Sequence, residues 1–279
     1  MLISTCSNLY GNMTVKVFLS RSVFPFILIL CITAVGSVLS AQGLKDDPEA
    51  KKVFEELDRR RDLVNYEQSE MQMIIYDSKG RTRERTMQSF NFDTEEESKS
   101  LTVFEAPADV RGTAFLSVRQ GSEEIQKLYL PALNSIQVIS ASQKSDRFMG
   151  SDFTYEDLGD QDPDEYTFEM LSETDSVTVL KGRKKEDSQY ASIHFYVDPD
   201  RYTLQKAEYF NDDGEKIKRL VAKDYQKVLD EQDVWRPGKM VMYDLENNRK
   251  TELKWTDRTI NRSIASWRFT ERGLKRGVR

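Results

Sequence analysis

The sequence predicts a mainly β protein: a strongly curved, mostly antiparallel sheet forming a half-open β-barrel, covered by a few helices. Three observations predict it. About a dozen runs of alternating apolar and polar residues follow one another with short turns, and one stretch alone has clear helical periodicity. The 238 residues from Gln42 onward, after an export signal, suit one large β domain. A sheet with one apolar face must close on itself or be covered, and covering segments here are few.

The chain opens with that signal. Residues 1–41 contain no Asp or Glu, and their charges are Lys16 and Arg21. An apolar run from Val23 to Leu39 follows, and Ser40-Ala41 closes it with small residues. A basic head, an apolar centre and a small-residue exit make a cleavable secretory signal. The run is roughly 16 residues, short of the ~20 that span a bilayer as a helix. Met13 begins a better-proportioned signal than Met1. Cleavage after Ala41 changes the composition of what remains. Net charge deepens from -6 to -8, and both cysteines, Cys6 and Cys31, are lost. An acidic chain is a poor nucleic-acid partner, because phosphates demand basic surface. Without cysteine there is no disulfide scaffold and no thiol chemistry. Cys31 lacks the small residue that a lipid-attachment signal places before its cysteine, so no lipid anchor is expected.

The first element is a helix. Ala50, Val53, Phe54 and Leu57 recur at i, i+3, i+4 and i+7, with Asp47 placed to cap it and Pro48 at its first position. Strand patterns then run through Met71–Ile75, Arg83–Phe92, Leu101–Phe104, Thr113–Val118 and Ile125–Leu130. They continue through Tyr166–Met170, Val177–Val179, Ile193–Val197 and Tyr202–Phe210. The hairpin signal Asn211-Asp212-Asp213-Gly214 leads into Ile217–Tyr225, Trp235–Tyr243 and Thr251–Trp255. Two segments break this rhythm: the acidic stretch 140–164, and the tail 264–274, which reads as a short helix or a last strand with a basic end. The pattern is compatible with a filled core and with an apolar cavity.

Signals for catalysis are scarce. His194 is the single histidine, and it alternates with Ile193 and Phe195, which puts it on the wetter face of its strand. One histidine and no cysteine cannot build the usual zinc site. There is no nucleophile elbow, no phosphate-cradling glycine loop and no paired-histidine motif. The acidic residues Asp152, Glu156, Asp157, Asp160, Asp162, Asp164 and Glu165 do not follow calcium-loop spacing and read as a solvated loop. Neither a metal nor another cofactor is expected, and the chain reads as a non-enzyme. Met71, Met73, Met87, Met170, Met240 and Met242 all fall in expected strands. Flexible thioethers suit a surface that accepts varied apolar ligands, though ordinary core filling would use them as well.

Three blocks are more specific. The first is Phe104-Glu105-Ala106-Pro107-Ala108-Asp109-Val110-Arg111-Gly112-Thr113-Ala114-Phe115-Leu116, and the second Leu128-Tyr129-Leu130-Pro131. The third, Asp146-Arg147-Phe148-Met149-Gly150-Ser151-Asp152-Phe153-Thr154-Tyr155-Glu156-Asp157-Leu158, is the most distinctive. In this order and spacing they resemble the outer-membrane lipoprotein-sorting proteins, the LolA-like group, along the whole mature chain. The resemblance implies a half-open, LolA/LolB-like barrel under helices, an apolar cavity for acyl chains and a Gram-negative periplasm. It is to the broad family and brings no binding residue with it.

The expected function is a periplasmic carrier of a lipid or of lipoprotein acyl chains, acting as a monomer. Its partners would be an inner-membrane lipid transporter and an outer-membrane acceptor. The expected cavity lining is Met71, Met73, Ile75, Phe90, Phe92, Phe115, Met240 and Met242. The third block is the expected lid. In it Ser151 or Asp152 caps a short helix through Leu158, which turns Phe153 and Tyr155 or Leu158 inward, with Phe148, Met149 and Gly150 just before it. The same block could instead plug one end of a filled barrel. The alternative functions are a non-carrier envelope assembly protein or adhesin on the same fold, and, more remotely, a hydrolase built on His194.

Overall fold

The computed structural model describes residues 46–277. The expected signal peptide, its two cysteines and the alternative starts Met1 and Met13 lie outside the described residues. Helix α1 (Pro48–Asp62) comes first, followed by β1 (Tyr66–Tyr76), β2 (Thr82–Asp93), β3 (Glu97–Ala106), β4 (Ala114–Gln120), β5 (Glu123–Leu130) and β6 (Ser135–Val138). After a long connection come β7 (Tyr166–Glu173), β8 (Thr178–Lys184), β9 (Ser192–Asp198), β10 (Thr203–Phe210) and β11 (Lys216–Lys223). Then follow β12 (Gln226–Leu229), β13 (Val234–Arg236), β14 (Lys239–Asp244), β15 (Arg249–Ile260) and helix α2 (Glu271–Arg276).

Thirteen of these strands form one antiparallel sheet in the order β6-β5-β4-β3-β2-β1-β15-β14-β11-β10-β9-β8-β7, and β12 pairs with β13 separately. Each half of the chain is a near-continuous meander of hairpins, the connection that antiparallel strands permit. The halves meet where β1 pairs with β15. The sheet is strongly curved but not closed, so β6 and β7 are its free edges. The connection between them, residues 139–165, has to travel from one edge to the other. It does so as a strap over the concave face, tied to β5, β11 and β15 on the way.

Helix α1 follows its sequence signals. The Asp47 carboxylate accepts from the Glu49 and Ala50 N–H groups, and Pro48 opens the helix. The helix start is also fixed to the edge strand: the Asp47 N–H donates to the Phe168 carbonyl at 2.9 Å. The Phe168 N–H donates to Asp46 Oδ1 at 2.8 Å. These bonds occupy part of the β7 edge that would otherwise invite pairing with another strand. Phe54 then reaches the concave face, with its ring 4.9 Å from Phe168 and 4.8 Å from Phe195. Gly182 on β8 makes room for this group. A Cβ there would lie 2.8 Å from the Phe195 ring and 3.2 Å from Tyr166.

Two apolar clusters flank the sheet. The larger fills the concave side beneath α1 and the strap. The smaller, on the other face, joins Phe90, Leu101, Val103 and Leu116 to Ile264, Phe269 and Leu274 of the tail. The tail is therefore a helical cover, with its basic residues Lys275 and Arg276 in the last turn of α2.

Three expectations need correction, and some short strands were unforeseen. The helix through Leu158 does not form; a single 3-10 turn, Phe148–Gly150, and a bridge between Arg147 and Thr154 stand in its place. Its intended cap, Asp152, is taken by partners on other elements, so it cannot hold a helix N-terminus. The expected Trp235–Tyr243 strand is broken at Pro237-Gly238 into β13 and β14, because proline cannot donate into a ladder. The short strands β6 and β12 were not among the expected ones, although Ile136 and Val138 of β6 alternate with Ser135 and Gln137. The acidic stretch 152–165 is a solvated loop only in part: Asp164 is exposed, but Asp152 and Glu156 are buried.

Candidate functional site

The curved sheet, α1 and the strap enclose a cavity of about 490 Å³. Its wall can be followed through the strand registers. In β1 every second residue faces inward, and Met71 and Met73 stand beside Trp255 and Leu253 of β15. Leu253 in turn pairs with Met240, and Leu220 with Met242. On the other side of β1, Met87 of β2 pairs with Met71. Phe54, Tyr166, Ile193, Phe195, Ala207 and Tyr209 complete the apolar part, and Phe115, Phe148, Phe153 and Leu158 form the side under the strap.

The structure thus brings Met71, Met73, Phe115, Met240 and Met242 together on the wall, with Phe148, Phe153 and Leu158 of the third block. Ile75 is buried in the same cluster but one row beyond the cavity. Phe90 and Phe92 do not line it at all: they belong to the cluster under the C-terminal tail. The reason is the period of two along a strand. Met87, Ser89 and Asn91 share one face of β2, and Phe90 and Phe92 share the other. The odd-numbered parity of Met87 was the signal that could have separated them in the sequence. Met87 itself, and the aromatic residues Phe54, Tyr166, Phe195 and Tyr209, were missed as wall residues. They come from strands and a helix whose inward face only the assembled sheet defines.

The three sequence blocks meet in space. Leu128 of the second pairs with Phe115 of the first across β4 and β5. Phe148 of the third lies 5.1 Å from the Phe115 ring and 5.8 Å from Phe104, and Tyr155 lies 5.6 Å from Phe115. Met149 turns through a left-handed conformation, and its carbonyl accepts from Arg85 Nη1 at 2.5 Å. Gly150 follows at φ +74°, a backbone region that side chains other than glycine rarely adopt. Ser151 is fully buried, its N–H donating to the Phe148 carbonyl.

Carboxylates hold the strap down. Asp152 accepts from Arg147 Nη1 at 2.7 Å, Arg249 Nε at 3.0 Å and the Thr251 hydroxyl at 2.7 Å. Glu156 accepts from Ser188 and Gln189, Asp157 from Lys218 and the Tyr190 hydroxyl, and Asp160 from Arg119. Asp164 and Glu165 pair with Lys51 and Lys184. Among the described residues no group of three or more His, Cys, Asp or Glu is placed to hold a metal ion.

At one end the wall becomes polar. Arg61 Nη2 lies 2.6 Å from Asp58 and 2.7 Å from Asp160. Burial pushes the Asp58 carboxyl up to about 7 against the opposing pull of Arg61, and Asp62 up to about 6. Burial also works on Asp160, but Arg61 and Arg119 outweigh it and hold that carboxyl below its usual range. His194 is remote from all this: it projects to the other side of β9, its ring 4.3 Å from Phe210, and burial lowers its basicity.

A family model described as uncharacterized protein-like matches residues 96–276. No curated protein matches the chain. Among solved structures, a Vibrio parahaemolyticus domain described as an outer membrane lipoprotein-sorting protein domain is 29% identical, with a TM-score of 0.77 over 81% of this chain and 98% of that one. A DUF1329 family protein from Desulfovibrio piger, 23% identical, superposes with a TM-score of 0.75 over 81% of this chain and 98% of the other. A LolA superfamily protein from Nitrosomonas europaea, 19% identical, does so with a TM-score of 0.62 over 79% and 97%. The last two share the fold.

Proposed function

This chain belongs to the LolA-like family, and from that premise we propose that it is a periplasmic carrier which shields a lipid, or the acyl chains of a lipoprotein, in its cavity. One observation carries the reading: a cavity of about 490 Å³ walled by five methionines and a ring of aromatic side chains beneath a strap. An apolar cavity of ~150 Å³ already admits a benzene-sized ligand, and this one is about three times larger. Burial of a chain contributes about 0.8 kcal/mol per methylene, offset by the cost of immobilising it. Methionine suits the task because its unbranched thioether adapts to chains of different shape. The protein would bind and release without covalent chemistry, collecting cargo at the inner membrane and delivering it to an outer-membrane acceptor.

Native mass spectrometry and lipid extraction of the purified protein test this. Co-purified lipid, or uptake of a fluorescent fatty acid, is the expected result. A protein that emerges empty and ignores both would defeat the proposal. A cavity of this size weighs against the second reading, an envelope interaction protein with a filled core.

A further inference from the structure

The cavity changes polarity in one direction, along its strands. The registers of β1 to β4 arrange the inward residues in rows across the sheet. Met71 and Met87 form one row; Ser89 and Thr102 form the next; Asn91, Ser100 and Ser117 form the one after. All of these residues line the same cavity. A wall meant only for acyl chain gains nothing from hydroxyl and amide groups, which prefer water or a hydrogen-bond partner.

Arg258 stands at this polar end. It is directly opposite Ser69 in the β1–β15 register and lines the cavity, with 8% of its side chain exposed. Its Nε donates to Glu67 at 2.8 Å and its Nη2 to the Pro237 carbonyl at 3.0 Å. Its Nη1, itself buried, has no hydrogen-bond partner among the described residues. Arg236, also on the wall, donates to the same Glu67 carboxylate at 3.3 Å. Two guanidinium groups therefore share the Glu67 carboxylate, with Asp93 acting on Arg236 as well, and Arg258 keeps a spare N–H. The neighbouring carboxylate Asp160 is already answered by Arg61 and Arg119.

A planar guanidinium with a free donor fits an oxyanion, phosphate above all. The hydroxyls of Ser100 and Thr102 supply further donors. We infer that the ligand is a phospholipid, seated with its phosphate-bearing headgroup against Arg258 and the Ser/Thr rows and its acyl chains along the methionines. This rests on the reading of the cavity as a lipid site. It goes further by naming the headgroup chemistry and the orientation.

The test compares two probes. Purified protein is incubated with vesicles of phosphatidylethanolamine and phosphatidylglycerol, or with oleic acid, and bound lipid is counted by native mass spectrometry. The expected result is phospholipid favoured over fatty acid. Arg258→Gln should lower the phospholipid-to-fatty-acid ratio about tenfold, the size of one hydrogen bond to a charged group. Thr102→Val keeps the shape of its side chain and should lower the ratio in the same direction while the protein stays folded. Equal uptake of both probes, unchanged in the two variants, would overturn the headgroup site and leave the carrier reading standing. Inorganic phosphate bound at millimolar concentration, lost in Arg258→Gln, with no phospholipid taken up would also overturn it, since the site would then hold the free anion. Uptake of neither probe would overturn both readings.

Discussion

Asp152 and Arg249 are joined at 3.0 Å across 97 residues of chain, and Asp152 has no side-chain surface left exposed. The contact fastens the strap to the hairpin between β14 and β15, at the centre of the sheet. Removing the carboxylate leaves Arg147, Arg249 and the Thr251 hydroxyl short of a partner. Asp152→Ala should cost about 2–3 kcal/mol, read from urea unfolding. Hydrogen exchange should rise across residues 146–158 before the rest of the sheet opens.

Phe115 is where the three family blocks touch, between Phe148 and Tyr155. Phe115→Ala should destabilise the protein by about 3–5 kcal/mol, the usual cost of emptying a buried aromatic site. A thermal unfolding midpoint within a degree of the parent would contradict this placement.

The two faces of β2 should respond differently to substitution. Phe90→Ala opens the cluster under the tail and should cost stability, about 3–5 kcal/mol, without changing uptake of a fluorescent fatty acid. Met71→Trp, on the cavity face, should instead cut that uptake severalfold with a smaller stability change, because the added ring enters open space. The reverse pattern would mean that the inward face had been misassigned.

Stability should fall as pH rises from about 4 to 8. Asp58 and Asp62 have carboxyls raised by burial to about 7 and about 6 from an ordinary 3.8. The folded state therefore holds more protons than the unfolded one between those limits, and stability drops as they ionise. Asp58→Asn should flatten this slope and raise stability at pH 8 by on the order of 1 kcal/mol. Glu208 works in the opposite sense. Burial pushes it up, but donors from Lys216, Lys206 and Tyr196 outweigh this and bring it to about 2. Its contribution is present above pH 4.5 and lost as pH falls through 2. Glu208→Gln should thus destabilise at neutral pH and progressively less in acid, in unfolding curves recorded across that range.

Much of this was legible in the chain. The cap and apolar stripe of α1, most strand positions and the hairpin at Asn211–Gly214 depend on neighbours a few residues away, and the sequence announces them. The family blocks were legible as well, although their meeting at Phe115 was not. Phe90 and Phe92 mark the boundary. Alternation alone placed each on one face of β2 or the other, and it could not say which face lay inside.

Local sequence determined periodicity, turns and family. The tertiary structure decided which parity faces the cavity, why Asp152 anchors a strap instead of capping a helix, and how Glu67 comes to be shared by Arg236 and Arg258. The physical reason is range. Backbone preference is set within a few residues, whereas the burial of a face and the partner of a charge are set by contacts between residues that the chain holds far apart, as Glu67 and Arg258 are.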